Sequence, residues 1–317
     1  MIRIGLISNP RSQRNKQGFE EIRAAVAGVP DVLHETLENG VDLGEILREF
    51  ARREVGVVAV NGGDGTLQVV LTRLFEGGSF ERPPPIAILP RGMANMAAAD
   101  VGLRGRSAAA LPRLIEAARA GSLEPHLRRR HVLRVENIQG RPPQRGMFLG
   151  AAGLYDGITV AYDRMHPLGL KGEWAAAAAL IASVGEVLLG RRHRIRAHQV
   201  AITVDGQPRE PGRYLLVLAS TLDRLSLNAR PFWNKSSGPI RFTSITDPPK
   251  RLLRWAPTLL YGSTRRQLPE ECYFSRGARR VELDMDSPFA VDGEMLAPIP
   301  GKPVVLSADD RAEFVRL

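Results

Sequence analysis

Cysteine is almost missing from this chain: among 317 residues only Cys272 is one, so an internal disulfide is excluded. That fits a reducing compartment. Lysine is scarce as well, since thirty-nine of the 44 basic residues are arginine and five are lysine. Aromatic residues make up 6% of the chain and no nucleic-acid-binding motif accompanies them, so no nucleic-acid partner is expected. No apolar run reaches the about 18 residues that a membrane-spanning helix needs. The start, "MIRIGLISNP", has one charge and a short apolar stretch, and reads as a first strand rather than a secretion signal. His34, His126, His131, His166, His193 and His198 lack zinc-like spacing, and no internal repeat is evident.

What the chain does have is positive charge, +10 with an isoelectric point near 10.4. Such a balance favours nucleotides or an anionic membrane face, although genomic base composition explains an arginine bias equally well. The length argues for two domains, and a 44% hydrophobic content is ample for their cores. Residues 1–124 alternate in the manner of βα units. "IRIGLIS", "DVLHETL", "VGVVAV" and "PIAILP" read as strands, while "QGFEEIRAAVAG", "VDLGEILREFARR" and "TLQVVLTRLFEG" read as helices. This pattern predicts a mainly parallel sheet covered on both faces. Residues 125–302 change texture, with "HVLRVEN", "RGMFLGAAG", "RIRAHQVAITVDG", "GRYLLVLAST", "PIRFTSI", "RRVELDM" and "FAVDGEML" as short strands. A mainly antiparallel β-rich domain is predicted there, with helices at 171–190 and around "KRLLRWAPTLLYG", and the tail 303–317 packing back on the first domain.

The stretch "VVAVNGGDGTLQVVL" carries the chemistry. A strand ending in glycines and opening a helix aims unpaired N–H groups and the positive helix end at one point, which suits phosphate. Gly62, Gly63 and Gly65 are expected to let the main chain approach the anion and take positive φ, with Thr66 capping the helix. Asp64 would repel phosphate unless a cation intervenes, and magnesium on a nucleoside triphosphate supplies one. An ordinary βα turn with an aspartate cap is the alternative.

At these residues the chain resembles the diacylglycerol kinase-like lipid kinases, relatives of the NAD kinase and phosphofructokinase type of fold. "NGGDGT" is that family's most specific signature. "SNPRSQRNK" is similar to its "NP-x-S-G" phosphate segment, which puts Asn9, Pro10, Arg11 and Ser12 at the nucleotide. "HETLENGVD" resembles "T-x-x-x-G-D-A" and brings Thr36 there too. "LPRGMANMAA" resembles the "P-L-G-T-x-N-D-F-A" turn and adds Arg91, Gly92 and Asn95. "AAGLYDGIT" looks like the "G-F-D-A" segment, which implies Asp156 as a substrate-binding residue, and "AVDGEML" matches the late "D-G-E" motif.

The resemblance implies an α/β catalytic domain, a β-sandwich, and ATP-dependent phosphorylation of a lipid hydroxyl in the cleft between them. It makes Glu294 the general base and Asp292 its orienting partner or a magnesium contact, with Asp64 the rival for base and the other magnesium contact. The implied cofactors are ATP and Mg2+. The implied acceptor is diacylglycerol, a sphingoid base or ceramide, reached by a cytoplasmic protein working at the inner face of the membrane. Several positions depart from the family pattern: Met93 replaces a phosphate-binding threonine beside Arg91, Met96 an aspartate, Gln68 and Val69 a polar pair, and Gln13 a glycine. The acidic loop that holds a structural magnesium in many bacterial members keeps only Asp223, so that metal is not expected. Two other readings stay open, a pseudokinase that binds lipid or nucleotide without turnover, and an NAD kinase-like enzyme. The latter lacks its expected dinucleotide-binding stretch here. Residues 248–267 place Leu252, Leu253, Trp255, Leu259, Leu260 and Tyr261 among Arg251, Arg254, Arg265 and Arg266. That suits either docking on an anionic bilayer or packing on the sandwich, with Pro257 kinking or starting the helix.

Overall fold

The unbroken apolar runs form the buried strands. In the computed structural model β1 (Arg3–Ser8) is an inner strand of the first sheet, with β3 (Val55–Gly62) pairing on one side in parallel. The structure describes residues 1–12, 15–38, 41–92, 95–105, 107–157, 196–225, 228–234, 236–262 and 268–317. The helix expected over 171–190, together with Gln13, Met93, Arg265 and Arg266, lies outside the described residues. The chain divides into one unit of residues 1–130 with 311–317, and a second of residues 131–310.

In the first unit, β2 (Val32–Thr36) pairs with the other side of β1, and β4 (Ile86–Pro90) pairs with β3, all in parallel. The crossovers are α1 (Asn15–Val26), α2 (Leu43–Arg52) and α3 (Asp64–Glu76), followed by α4 (Met96–Val101) and α5 (Ser107–Arg119). Asp42 starts α2 by accepting the Gly44 amide at 2.8 Å, a local side-chain cap of the usual kind. α2 lies close on β1 because Gly5 has no side chain: a Cβ there would sit 2.4 Å from the Phe50 ring. One face of the sheet buries Ile4, Leu6, Val57, Ala59, Ala87 and Leu89 against Leu111 and Leu114 of α5. The six-stranded sheet is completed by Arg311–Val315, which follows β4, and then by Leu127–His131. Phe314 pairs with Ile86 and is fully buried.

Among the described residues the second unit is a twelve-stranded antiparallel sheet, whose first strand in the chain is Leu133–Glu136 and whose last is Val304–Ser307. Residues from distant parts of its path, among them Leu133, Leu149, Phe242, Val281 and Phe289, share one core, so the sheet folds over on itself as a sandwich. The helix Leu252–Tyr261 covers a smaller core of Ile245, Leu268, Cys272 and Tyr273 with Trp255 and Leu259. It begins five residues before Pro257 and runs through it. Among the described residues five strands escape the sequence pattern: Leu127–His131, Gln207–Pro208, Tyr273–Ala278, Val304–Ser307 and Arg311–Val315. They are short, and the first and last carry charges that hide their alternation. Among the described residues no helix is long and apolar enough to cross a membrane.

Candidate active site

The chain leaves β1 to one side to make β2 and to the other to make β3, giving the order β2-β1-β3-β4. The crevice outside the carboxyl ends of β1 and β3 is where open α/β sheets take ligands. Asn9 follows β1 and Gly63 follows β3, so both expected phosphate segments meet at this point. Thr36 ends β2 in register with Ser8, on the same edge of the sheet.

A polar network ties these strand ends together. The Asn9 amide donates to the Asn61 carbonyl at 3.0 Å, and Asn9 Nδ2 donates to Thr66 Oγ1 at 2.9 Å. Asn15 Nδ2 donates to both the Asn9 and Asn61 carbonyls, at 2.7 and 3.1 Å. Ser8 Oγ accepts Asn61 Nδ2 at 2.9 Å and lies 2.9 Å from His34 Nε2. Burial, with Arg23 adding repulsion, pushes the His34 imidazole below its ordinary value and favours the neutral ring. Asn9 Oδ1 accepts the Arg11 amide, and the Ser12 amide donates back to the Asn9 carbonyl, so Asn9, Pro10, Arg11 and Ser12 form one tight turn. Ser8, Asn15, His34 and Asn61 were not singled out from the sequence. Asn61 carried the one usable signal, a polar residue closing an apolar strand directly before the glycines.

One part of the expectation for the glycines fails, the positive φ. Gly62, Gly63 and Gly65 are not at positive φ, and Gly63 is extended at −96°, −175°. What excludes a side chain is packing: a Cβ on Gly62 would lie 2.6 Å from Thr66 Cβ, and one on Gly63 would lie 2.8 Å from Gly92 Cα. Two turns from distant parts of the chain thus touch backbone to backbone, and the Arg91 amide bonds the Gly62 carbonyl at 2.9 Å. Thr66 does not cap α3 either; its hydroxyl holds Asn9, and Gly63 is the N-cap without a side-chain bond. The start of α3 therefore has no side-chain cap from Gly63, and the side chain nearest its first amide is the Asp64 carboxylate.

Asp64 joins the same two turns. Its Oδ2 and Oδ1 accept the amides of Met96 and Ala97, both at 3.1 Å, where α4 begins. Burial pushes its carboxyl above the ordinary value, while these amides pull the other way. Asn95, left-handed at φ 46°, locks the second turn by accepting the Gly92 amide at 2.8 Å and donating to the Gly92 carbonyl at 2.9 Å. Arg91 is mostly buried, with its guanidinium over Gly18 and 3.9 Å from Glu21.

In the second unit Asp292 and Gly293, both at positive φ, make the two-residue turn between Phe289–Val291 and Glu294–Leu296. Asp292 is 4% exposed, and its Oδ2 accepts the Met147 amide at 2.9 Å. Glu294 is ion-paired with Arg141, a partner that sequence spacing does not reveal. Asp156 accepts the Arg196 amide at 2.9 Å and lies 3.1 Å from His198 Nε2. Among the described residues no group of three or more histidines, cysteines and carboxylates comes together to hold a metal.

Residues 3–124 match the diacylglycerol kinase catalytic domain family. No curated protein matches the chain. Among solved structures, a diacylglycerol kinase from Bacillus anthracis str. Sterne is similar at 17% identity and a TM-score of 0.59, over 99% of this chain and 96% of that one. Yeast NADH kinase complexed with NADH is similar at 11% identity and a TM-score of 0.52, over 100% and 84%. An NAD kinase from Archaeoglobus fulgidus in complex with ATP gives 13% and 0.50, over 98% and 93%. At such identities the structural likeness establishes the fold, that of NAD kinase and its relatives.

Proposed function

From a chain whose residues 3–124 form a diacylglycerol kinase-type catalytic domain, and which is therefore a kinase by class, we propose an ATP-dependent lipid kinase that phosphorylates a lipid hydroxyl. The observation that carries the reading is the N-terminus of α3, uncapped by Gly63, at the strand-order reversal and framed by Asn9 and by Gly92. Its first amides and the helix dipole suit the phosphates of a nucleotide. The donor set fits magnesium carried in on that nucleotide rather than a resident ion, since magnesium is usually held by one or two carboxylates plus phosphates. Asp64 or Asp292 would supply the carboxylate. Bound magnesium would neutralise charge on the transferred group.

In this reading Asn9, Pro10, Arg11, Ser12, Thr36, Gly62, Gly63, Gly65, Thr66, Arg91, Gly92 and Asn95 shape the nucleotide side. Asp156 meets the lipid head. Glu294 takes the proton of the acceptor hydroxyl as its oxygen attacks the γ-phosphorus, and ADP leaves with the bridging oxygen. To act so, Glu294 must exchange Arg141 for the hydroxyl. The reaction belongs at the inner face of a membrane, in the cytoplasm.

The test is transfer of labelled γ-phosphate from ATP to diacylglycerols, sphingoid bases and ceramides in mixed micelles, with NAD as a further acceptor. Glu294→Gln should lower turnover by about 10²–10⁴, the usual range for losing a general base, with ATP affinity held. Labelled NAD without labelled lipid would replace this reading with that of an NAD kinase. A second reading, a binding module without turnover, is favoured by one observation: both Asp64 oxygens are already engaged by amides. ATP binding with no labelled product would select it.

A further inference from the structure

Seven large apolar side chains are exposed among the described residues, and three of them, Leu253, Leu260 and Tyr261, sit on the single helix Leu252–Tyr261. They are 69%, 39% and 63% exposed. With Pro257, also exposed, they occupy positions i, i+4, i+7 and i+8, one face of a helix. The opposite face, Trp255, Thr258 and Leu259, is buried. The helix is thus apolar on both sides, its inner side packed on the core and its outer side reaching solvent at these residues. It contains no acidic residue, and Arg251 and Arg254 are exposed at its start. The Arg254 guanidinium lies 5.3 Å from the Trp255 ring centroid, stacked along the helix. Nearby, Glu271 is paired with Lys250 at 3.4 Å.

We propose that this outward face docks the protein on an anionic lipid bilayer, with Leu253, Leu260 and Tyr261 entering the headgroup–acyl boundary and Arg251 and Arg254 meeting acidic headgroups. Short apolar faces flanked by arginine bind such surfaces through both terms together. A second copy of the chain is a poorer occupant, because a two-fold contact through this face would bring the arginines of both copies together. The inference rests on the lipid-kinase reading for its purpose, but docking is measured without phosphate transfer.

The experiment is co-sedimentation of the full chain with vesicles of phosphatidylcholine containing phosphatidylglycerol, against vesicles of phosphatidylcholine alone. Preferential pelleting with the anionic vesicles, weakened by salt, is expected. Arg251→Gln and Arg254→Gln should each lower that affinity about fivefold, the worth of one basic residue near a charged surface. Leu253→Asn or Tyr261→Asn should lower it about tenfold, from the loss of buried apolar area. Since these side chains lie outside the core, thermal unfolding of the variants should match the wild type. Turnover on lipid in detergent micelles should also be unchanged, while turnover on lipid in bilayers falls. Wild-type protein that ignores anionic vesicles, or variants that pellet as well as it does, would overturn the proposal. So would self-association that these substitutions abolish, which would name a second copy as the occupant. Vesicle binding lost in the variants, with no lipid ever labelled, would instead sink the kinase reading and leave the docking surface standing.

Discussion

Gly92→Ala and Gly63→Ala separate two explanations of the glycine turns, close packing and close approach to phosphate. A Cβ at residue 92 would sit 2.5 Å from Gly63 Cα, and one at residue 63 would sit 2.8 Å from Gly92 Cα. Carbon atoms rest about 3.5–4.0 Å apart, so the turns must separate by roughly 0.7–1 Å. Neither contact is with a side chain that can rotate away. Overfilling of this kind costs about 1–3 kcal/mol. Neither glycine has positive φ, so alanine also gains about 0.4–1 kcal/mol by restricting the unfolded chain. The net loss is about 1–2 kcal/mol, larger for Gly92→Ala, which corresponds to a midpoint lowered by roughly 3–8 °C in a unit of this size. The displaced turn also carries the start of α3, so ATP affinity should fall with stability. Thermal unfolding monitored by circular dichroism, beside ATP titration, reads both. Midpoints equal to the wild type's would refute the packing argument. Lost ATP affinity at unchanged stability would leave phosphate approach as the reason for the glycines.

Other changes test the neighbouring contacts. The Asp64 carboxyl is raised above 3.8 in the folded state, so there the folded protein binds a proton more readily than the unfolded chain. Its contribution to stability should therefore fall as pH rises from 3.8 through the raised value; urea midpoints of wild type against Asp64→Asn should diverge over that window, and parallel curves would refute the assignment. Asn95→Gly removes both bonds to Gly92 and should cost about 2 kcal/mol, whereas Asn95→Ala should cost about 1 kcal/mol more because its left-handed conformation suits no β-carbon. Equal urea midpoints for the two variants would refute that. Asp292→Ala leaves the buried Met147 amide without this acceptor and should cost about 1–3 kcal/mol in urea unfolding; no loss would mean that the turn relaxes freely.

The first unit's strands were legible because parallel strands covered on both faces need unbroken apolar residues, as β1, β3 and β4 have. The antiparallel strands of the second unit were legible from alternation between turns. Arg311–Val315 was not: "RAEFV" carries little periodicity, and no local pattern tells a strand which distant sheet to join. The meeting of Asn9 with the glycine turn followed from motif order. The packing of the glycines did not, since Gly63 and Gly92 are 29 residues apart and their contact exists only once β3 and β4 are paired. Thr66 was misassigned as a cap for the same reason, its Asn9 partner being 57 residues away.

The strand Arg311–Val315, lying next to β4, bears on the order in which the molecule is made. Translation delivers residues 1–130 first, yet their sheet lacks this member until the ribosome has passed residue 315. Until then Ile86 and its neighbours on β4 have an unpaired edge. Residues 131–310 emerge as one continuous stretch and have all twelve of their strands in hand sooner. On the ribosome, the first unit would thus be the first begun and the last finished.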